Sequence, residues 1–316
     1  MRGRLEVFIE RLSRRSSLDV LTAIMRELNL SAAGYRRLQL AAPWGIDFDQ
    51  SGVRGIHIVL QGRCEAVFGR KAMALEPGDL VIAPRADRHV LRSAGAPASA
   101  VKPARQLVSA GGHVKAGGKG EKAVMLCGAF AFSEASHPAL AGLPRFVHVR
   151  GEDGKPASWL RGYVDALLAE AEDEGPGSAV VSARLSAAII TRALRHTGDT
   201  GEQGWLRGLG DPAVAKALGH IHDSVAKDWT IEGLAKAVGL SRAAFAKRFR
   251  ERVGEAPMRY LFLRRMLAAE TLLREGRMGL ARIAVATGYA SEGAFSAAFK
   301  RHAGIAPGQF RNMPAA

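Results

Sequence analysis

The sequence predicts an α+β multidomain protein, with an N-terminal β-barrel flanked by helices and an all-α C-terminal domain. Three observations support this fold class. The chain has 316 residues, enough for about two domains that each bury a core. In residues 45–84, short apolar runs are separated by glycine and proline, which is typical of β-strands. In residues 212–312, apolar residues recur at helical spacing, and part of this sequence pattern occurs twice. We therefore predict domains over residues 1–200 and 211–316.

The composition is that of a globular protein, with 47% hydrophobic and 24% charged residues. No run of 18 or more apolar residues occurs, so the sequence predicts no transmembrane helix. The segment Met1 to Arg15 carries five arginines but no apolar core, which argues against a secretory signal. Two cysteines are too few for a disulfide-stapled secreted domain, so we expect a cytoplasmic protein.

Positive charge is concentrated in the last third of the chain. The formal net charge is +15, and residues 212–316 contain 17 Lys and Arg against 8 Asp and Glu, a net +9. The first 211 residues contain the remaining 28 against 22, a net +6. Such an excess favours a polyanionic partner, either nucleic acid or an anionic membrane surface.

The first half of the chain is predicted to be mostly β-structure. Helical spacing over residues 18–33 predicts an amphipathic helix, and short strands with turn signals follow up to Pro84. Residues 94–123 are rich in Gly, Ala and Lys, which predicts a long flexible loop. Further strands are expected over residues 124–132 and 146–149.

Two helices are predicted after this β-region. Their apolar spacing begins at Pro156 and ends at Leu194, with an acidic break at residues 173–177. We expect these helices to pack on the β-region or on a second subunit. Residues 198–210 contain five glycines, which predicts an interdomain linker.

The C-terminal third repeats a short pattern. Ala235 and Gly239 recur at Ala284 and Gly288, an offset of 49. A second set recurs at an offset of 50, in which Ser241, Phe245, Phe249, Gly254 and Pro257 are matched by Ser291, Phe295, Phe299, Gly304 and Pro307. One residue is therefore inserted between Gly288 and Ser291, where a turn can absorb it.

Each repeated residue type has a structural role that explains why it occurs in both copies. A small Ala lets the first helix of each copy pack closely against the second, and the Gly that follows supplies the positive φ that ends the first helix. The Ser caps the second helix, and two Phe at i and i+4 bury one face of it. The opposite face is left exposed for a DNA groove. The sequence therefore predicts two helix-turn-helix units.

This region resembles the AraC/XylS family of bacterial regulators. The resemblance covers about residues 212–312. It rests on Gly288 to Glu292, Phe295, Phe299-Lys300, Gly304, Pro307 and Phe310-Arg311, and on a connecting helix that begins at Pro257. It implies that the second helix of each unit enters a major groove of promoter DNA, in successive grooves roughly 34 Å apart. RNA polymerase is expected as a further partner.

The resemblance also implies which side chains face the DNA. They are Arg242, Ala243, Ala246, Lys247 and Arg248 in the first unit, and Ser291, Glu292, Gly293, Ser296, Ala297 and Lys300 in the second. Several of them are Ala or Gly, which have no side chain that reaches a base edge. Base recognition is therefore expected to depend on Lys247, Ser296 and DNA shape.

The N-terminal half resembles the cupin-type sensor domain that precedes such DNA-binding domains. The matching pieces are Ala42 to Gly45, His57 to Cys64, Pro77 to Val81 and Pro84 to His89, within about residues 18–200. The resemblance implies a small β-barrel that senses a signal, with helices behind it that form a homodimer.

A divalent metal is one prediction for this cupin-like domain. Cupin enzymes usually hold a metal with a His-x-His pair, a downstream Glu and a distant His, but here Val59 stands two residues after His57. The set predicted to remain is His57, Glu65 and His89, which would suit iron or zinc. The alternative is that both histidines are hydrogen-bonded structural residues and that no cofactor is required.

Cys64 and Cys127 both lie on predicted apolar strands. They are either small core residues or a reversible redox switch, which needs an accessible thiol of low pKa. For a switch, Cys127 is predicted to be the reactive thiol, because Lys115, Lys119 and Lys122 precede it and favour a thiolate.

Together these features predict a one-component transcription regulator and not an enzyme. The cupin-like domain is expected to sense a small molecule or an oxidant and to change dimer geometry or DNA affinity. Two other classes stay open, a metal-dependent cupin enzyme with a DNA-binding tail and a non-specific DNA-coating protein. The capped, glycine-terminated repeat favours specific docking over coating.

Overall fold

The computed structural model describes residues 20–49, 54–108, 114–133, 138–173, 175–196 and 204–313. These residues divide into two compact units. The first, called here the β-unit, comprises the described residues of 25–133 and 143–196. The second, the helical unit, comprises residues 20–24, 138–142 and 204–313. The arginine-rich segment Met1 to Arg15 lies outside the described residues.

The β-unit is built from two sheets. In chain order its strands are β1 (Leu30–Ala41), β2 (Gly45–Phe48), β3 (Arg54–Gln61), β4 (Cys64–Phe68), β5 (Lys71–Leu75), β6 (Leu80–Ala83), β7 (His89–Arg92), β8 (Val101–Pro103), β9 (Val114–Gly117), β10 (Lys122–Phe132) and β11 (Val147–Val149). One sheet has the order β11-β6-β3-β10-β1-β9 and the other β5-β4-β7-β2-β8. The predicted fold class is confirmed with one correction, since neither sheet closes into a barrel within the described strands.

Alternation along the strands lets the two sheets bury one core between them. Leu38 and Leu40 of β1 and Met125 and Cys127 of β10 belong to this core. From the other sheet the core takes Ile46, Ala66, Phe68, Leu75 and Leu91. Strands β3, β10 and β1 are adjacent and are the longest strands of the unit, so they form the main part of the first sheet.

Two sequence predictions for this region are wrong. The first helix, α1 (Val20–Leu28), ends before β1 begins at Leu30, so residues 30–33 are not helical. The predicted loop over residues 94–123 contains β8, the short helix α2 (Ala104–Val108), β9 and the start of β10. Strands β8 and β9 pair in parallel with β2 and β1, which lie far away in the sequence. Such non-local pairing leaves no periodic signal in a short segment.

The two predicted helices are α3 (Arg161–Asp173) and α4 (Ser178–His196). Both pack against β1 of the β-unit, which agrees with the first of the two packing alternatives. A buried hydrogen bond of 2.6 Å joins Tyr35 Oη of β1 to Ser186 Oγ of α4. Because Ser186 Oγ donates to Ser182 O, the Tyr35 hydroxyl acts as the donor in this bond.

The helical unit consists of helices joined by short turns. They are α5 (Trp205–Leu209), α6 (Pro212–Asp223), α7 (Ile231–Ala237), α8 (Arg242–Val253), α9 (Pro257–Glu275), α10 (Leu280–Ala286), α11 (Glu292–Ala303) and α12 (Pro307–Arg311). Helix α5 occupies part of the stretch predicted to be a linker, and its Trp205 and Leu206 are buried. The five glycines of residues 198–210 suggested a linker, but the same stretch contains the buried residues Trp205 and Leu206. None of the described helices is long and apolar enough to cross a membrane.

Candidate nucleic-acid interface

The first helix-turn-helix unit consists of α7 and α8. Gly239 adopts a φ of +74° in the turn, and Ser241 Oγ accepts a hydrogen bond of 3.3 Å from the Ala244 amide at the start of α8. Phe245 and Phe249 are fully buried on one face of α8. Gly254 ends the helix with a φ of +87°. The turn and both ends of α8 are thus determined by residues of the predicted motif.

The second unit, α10 and α11, has the same local structure. Gly288 has a φ of +80°, and Ser291 Oγ accepts a hydrogen bond of 3.2 Å from the Ala294 amide. Phe295 and Phe299 are fully buried, and Gly304 ends α11 with a φ of +78°. The repeat that the sequence predicted is therefore confirmed in both copies.

The outward faces of α8 and α11 follow from the helical repeat. At 3.6 residues per turn, four positions in each helix lie opposite the phenylalanine pair. They are Ala243, Lys247, Arg250 and Glu251 in α8, and Gly293, Ala297, Lys300 and Arg301 in α11, and all eight are exposed. Arg250, Glu251 and Arg301 were missing from the predicted set. Arg250 could have been predicted from the repeat, because it lies 50 positions before Lys300, which was in the predicted set.

The other predicted DNA-facing residues lie at the rim of these faces. Ala246 and Ser296 are half-buried on their flanks, and Glu292 is the exposed first residue of α11. Ser291 acts as the cap of its helix. Arg242 forms an exposed ion pair of 3.0 Å with Glu232 of α7.

Arg248 has a different environment from its neighbours, because it contacts a buried carboxylate. Its Nε lies 2.6 Å from Asp211 Oδ2, and Asp211 Oδ1 in turn accepts hydrogen bonds from the Ala213 and Val214 amides. Burial alone would raise the pKa of Asp211, but the bonds from Arg248, Val214 and Ala213 and the charge of Arg248 lower it below its ordinary value. Arg248 thus holds α8 against the start of α6. Its contact with DNA stays a prediction, and the contact that the structure shows is one that positions α8.

Arg265 on the connecting helix α9 contacts the loop before α7 and lies beside the turn of the second helix-turn-helix unit. Its Nε and Nη2 donate to the carbonyls of Val225 and Lys227, which precede α7, at 3.1 and 2.9 Å. A Cβ added at Gly288 would lie 2.6 Å from Arg265 Nη2. The glycine that turns the second unit therefore also leaves space for this guanidinium. Sequence reasoning missed Arg265 because its partners are far away along the chain.

In the β-unit, His57 and His89 form a direct pair. Their Nε2 atoms are 2.8 Å apart, and His89 Nδ1 lies 2.9 Å from the Asp87 carbonyl, which can only accept. His89 Nε2 is therefore the acceptor for His57 Nε2–H when both rings are neutral. Burial lowers the pKa of both histidines, and for His57 the charge of His89 lowers it further. A Cβ at Gly55 would lie only 2.5 Å from His57 Nε2.

Glu65 does not join this histidine pair. Phe68 of the same strand stacks on His89 at 5.1 Å, and a residue three positions away on a strand points to the opposite face. Glu65 instead forms an ion pair of 3.0 Å with Arg92. Nowhere in the described part of the chain do three or more His, Cys, Asp or Glu residues form a group that could hold a metal ion. The predicted three-ligand set is therefore not brought together in the described residues, where His57 and His89 contact each other and Glu65 contacts Arg92.

The two cysteines are unpaired thiols in the core between the sheets. Burial, with the charges of Asp79 and Glu65, raises the pKa of Cys64 to about 12. Burial likewise raises the pKa of Cys127, which faces the core and not the lysines that precede it. The predicted low-pKa thiol at Cys127 is therefore wrong, because strand alternation turns its side chain inward.

Known proteins resemble this chain along most of its length. The family profile described as Cupin matches residues 19–199, and the profile described as Helix-turn-helix domain matches residues 234–313. A putative AraC-like transcription regulator of Streptomyces lividans is 32% identical over 94% of this chain and 97% of its own length. The transcriptional regulator AlkR of Acinetobacter baylyi is 26% identical over 94% of this chain and 100% of its own.

One solved structure similar to part of this chain is the DNA-binding domain of AdpA in complex with a target DNA. It is 30% identical, covers 32% of this chain and 90% of its own, and has a TM-score of 0.31. The full-length relatives are named as transcription regulators and not as enzymes. The chain belongs to the AraC-like family of DNA-binding transcription regulators, with a cupin domain followed by a helix-turn-helix domain.

Proposed function

We propose that the β-unit senses a signal that controls how the helical unit binds promoter DNA. One observation carries this proposal, a cavity of about 220 Å³ inside the β-unit. Residues of β1, β2, β9, β10 and α2 line it, so it adjoins the two longest strands of the unit, β1 and β10. Concave, mostly apolar spaces of this kind are typical of small-molecule sites.

The cavity wall is connected to a helix that lies outside the sheets. Tyr35 lines the cavity and donates the buried hydrogen bond to Ser186 of α4. Its ring covers Gly128 of β10, where an added Cβ would lie 2.4 Å from Tyr35 Cε1. A ligand that displaces β1 would therefore move α4. This connection supports a change in α4 as the first step of the response.

A homodimer is the assembly that we propose for this response, with RNA polymerase as the partner on the promoter. Helix α4 carries two exposed apolar side chains, Val180 and Val181, with 64% and 41% of their surface accessible. Exposed apolar groups on one helix favour pairing with a second copy. The basic charge of the C-terminal third supports DNA as the ligand of the helical unit.

Filling the cavity tests the sensing function. An added Cβ at Gly34, on the cavity wall, meets no atom within 4 Å, so Gly34→Leu is expected to fold and occupy the cavity. Genome-wide occupancy should change with growth conditions or oxidant in the wild type but stay constant in Gly34→Leu. Gly162→Leu is the matched control, because its added Cβ also meets no atom within 4 Å and it lies on α3. If Gly34→Leu responds like the wild type, the cavity is not the sensor.

Lys247 is the proposed base-reading residue of α8. Lys247→Ala should weaken binding to the preferred site by about 1–3 kcal/mol and relax sequence preference there. Arg242→Ala, next to the cap, should weaken all sequences alike and reduce the salt slope by about one unit, as expected for a phosphate contact. Titrations at several salt concentrations on preferred and scrambled sites separate these effects. Identical profiles for both variants would contradict the assigned roles.

A further inference from the structure

We infer that Glu292 of α11 selects cytosine in DNA, and that it therefore reads the opposite class of base edge from Lys247 of α8. The inference rests on the base-reading role proposed for Lys247 and does not depend on the sensing function. It assigns a specificity-determining residue to the second helix-turn-helix unit. The part of the DNA site that α8 contacts is called here the first box, and the part that α11 contacts the second box.

The two repeats differ in charge at the start of the recognition helix. At the offset of 50, Arg242 corresponds to Glu292, and Lys247 corresponds to Ala297. Arg242 and Glu292 are the first residues of their helices, directly after the serine caps. The first residues of a recognition helix are the ones that contact base edges. The two helices therefore present different hydrogen-bonding groups to DNA.

Glu292 has the longest exposed side chain in the first two turns of α11. Gly293, Ala294 and Ala297 are exposed but carry at most one methyl group, and Ser296 is half-buried. A hydrogen bond to a base edge needs a polar group that extends beyond the surface of the helix. Glu292 is therefore the side chain that the start of α11 offers to a base.

The surroundings of Glu292 differ from those of Arg242 in the first unit. Arg242 forms an ion pair of 3.0 Å with Glu232 of α7. At the offset of 49 that relates the first helices of the two units, Glu232 corresponds to Ala281 of α10, which carries no charge. Within the residues that the structure describes, the Glu292 carboxylate has no ion-pair or hydrogen-bond partner, so it is available to DNA.

A carboxylate beside DNA is selective because most of its surroundings repel it. B-DNA carries one negative charge per about 1.7 Å of its axis, so the phosphates disfavour Glu292 at every site. In the major groove guanine presents two acceptors, and thymine presents an acceptor and a methyl group, which give the carboxylate no compensation. Cytosine presents the N4 amino group, from which a carboxylate accepts a hydrogen bond. Adenine has an amino group beside an acceptor, so cytosine is the best partner.

Lys247 has the opposite requirement. Its ammonium group only donates, so it matches the O6 and N7 acceptors of guanine. A site with guanine in the first box and cytosine in the second satisfies both side chains. Exchange of the boxes places Glu292 against acceptors and Lys247 against a donor. The charge reversal between the repeats therefore fixes the orientation in which the protein binds its site.

The test determines the base preferences of the full chain by selection from a randomised DNA library, followed by titration of the selected site and its single-base variants. The wild type should prefer cytosine by about tenfold at one position of the second box. Glu292→Gln should shift this preference to adenine, because an amide side chain binds the N6 and N7 atoms of adenine. Glu292→Asp keeps the charge at the start of the helix but shortens the side chain, so it should lose most of the preference.

Glu251→Gln is the matched control, because it removes the same charge from an exposed position on the outward face of α8. Glu251 lies nine positions after Arg242, or about 13.5 Å further along the helix, beyond the residues that contact bases. It should strengthen binding to all sequences alike and leave the base preferences unchanged. The same behaviour in Glu292→Gln would show that Glu292 is only a repelled surface charge and would overturn the inference. A selected second box without a preferred cytosine would also overturn it.

Lys247→Ala on the same library distinguishes failure of this inference from failure of the proposed base-reading role. A guanine preference that is lost in Lys247→Ala, together with unchanged preferences in Glu292→Gln, would overturn the inference and leave the role of Lys247. A cytosine preference that depends on Glu292, together with unchanged preferences in Lys247→Ala, would support selection by Glu292 and contradict the role of Lys247.

Discussion

Gly288→Ala is expected to destabilise the helical unit more than the equivalent change, Gly239→Ala, in the first repeat. Both glycines end the first helix of their unit with a positive φ, +80° and +74°. An L-residue in this region costs about 1–2 kcal/mol. At Gly239 the added Cβ meets no atom within 4 Å, so this cost is the whole effect.

At Gly288 a second cost is added. The Cβ would lie 2.6 Å from Arg265 Nη2 and 2.7 Å from the Ala226 carbonyl oxygen. Overpacking of this kind costs roughly a further 1–3 kcal/mol, so we expect a total of about 3 kcal/mol or more. The displaced guanidinium would also loosen the contact of α9 with the loop before α7.

Urea unfolding followed by helical circular dichroism compares the two variants with the wild type. A second measurement is the affinity for DNA that carries a site for each helix-turn-helix unit. This affinity should decrease more for Gly288→Ala, because Arg265 lies between the loop before α7 and the turn of the second unit. Equal free energies of unfolding for the two variants would show that Arg265 moves away without cost. The predicted additional cost at Gly288 would then be wrong.

Asp211→Ala is the second change with a large expected effect, about 2–3 kcal/mol in the free energy of unfolding. The variant loses the N-cap of α6, which contributes about 0.5–2 kcal/mol. It also loses a charged hydrogen bond to Arg248, whose half-exposed side chain places its contribution at the low end of about 1.5–3 kcal/mol. Asp211→Asn separates the two parts, since Asn caps a helix as well as Asp.

The Asp211 contribution should also depend on pH. The folded pKa is lower than the ordinary value of 3.8, so ionised Asp211 stabilises the fold at neutral pH. This stabilisation is present above pH 3.8 and is lost as the pH falls through the lowered folded pKa. The stability difference between the wild type and Asp211→Asn should therefore shrink below about pH 4.

Unfolding free energies from pH 3 to pH 7 test this dependence. Asp228→Ala, a change at an exposed position of the same unit, is the control and should stay within about 0.5 kcal/mol of the wild type. A difference between the wild type and Asp211→Asn that does not vary with pH would contradict the ion pair with Arg248.

The sequence alone determined the helix-turn-helix repeat and its exposed recognition helices. The signals of this repeat are local. The positive φ at Gly288 is a property of that residue alone, and Ser291 caps the helix that begins directly after it. Phe295 and Phe299 lie on the same face of one helix. Such preferences act within a few residues and can be predicted from the order of residue types. The general position of the β-rich half could be predicted for the same reason, from short apolar runs between turns.

Only the tertiary structure decided which distant residues meet. Arg248 contacts Asp211, 37 positions away, and the His57–His89 pair spans 32 positions. Strands β8 and β9 exist because β2 and β1 provide backbone partners for them. The packing of the two sheets also determined which side of each strand is interior. As a result Cys127 is buried and Glu65 forms an ion pair with Arg92. These outcomes depend on strand pairing and register, which hydrogen bonds between separated segments determine and local sequence does not encode.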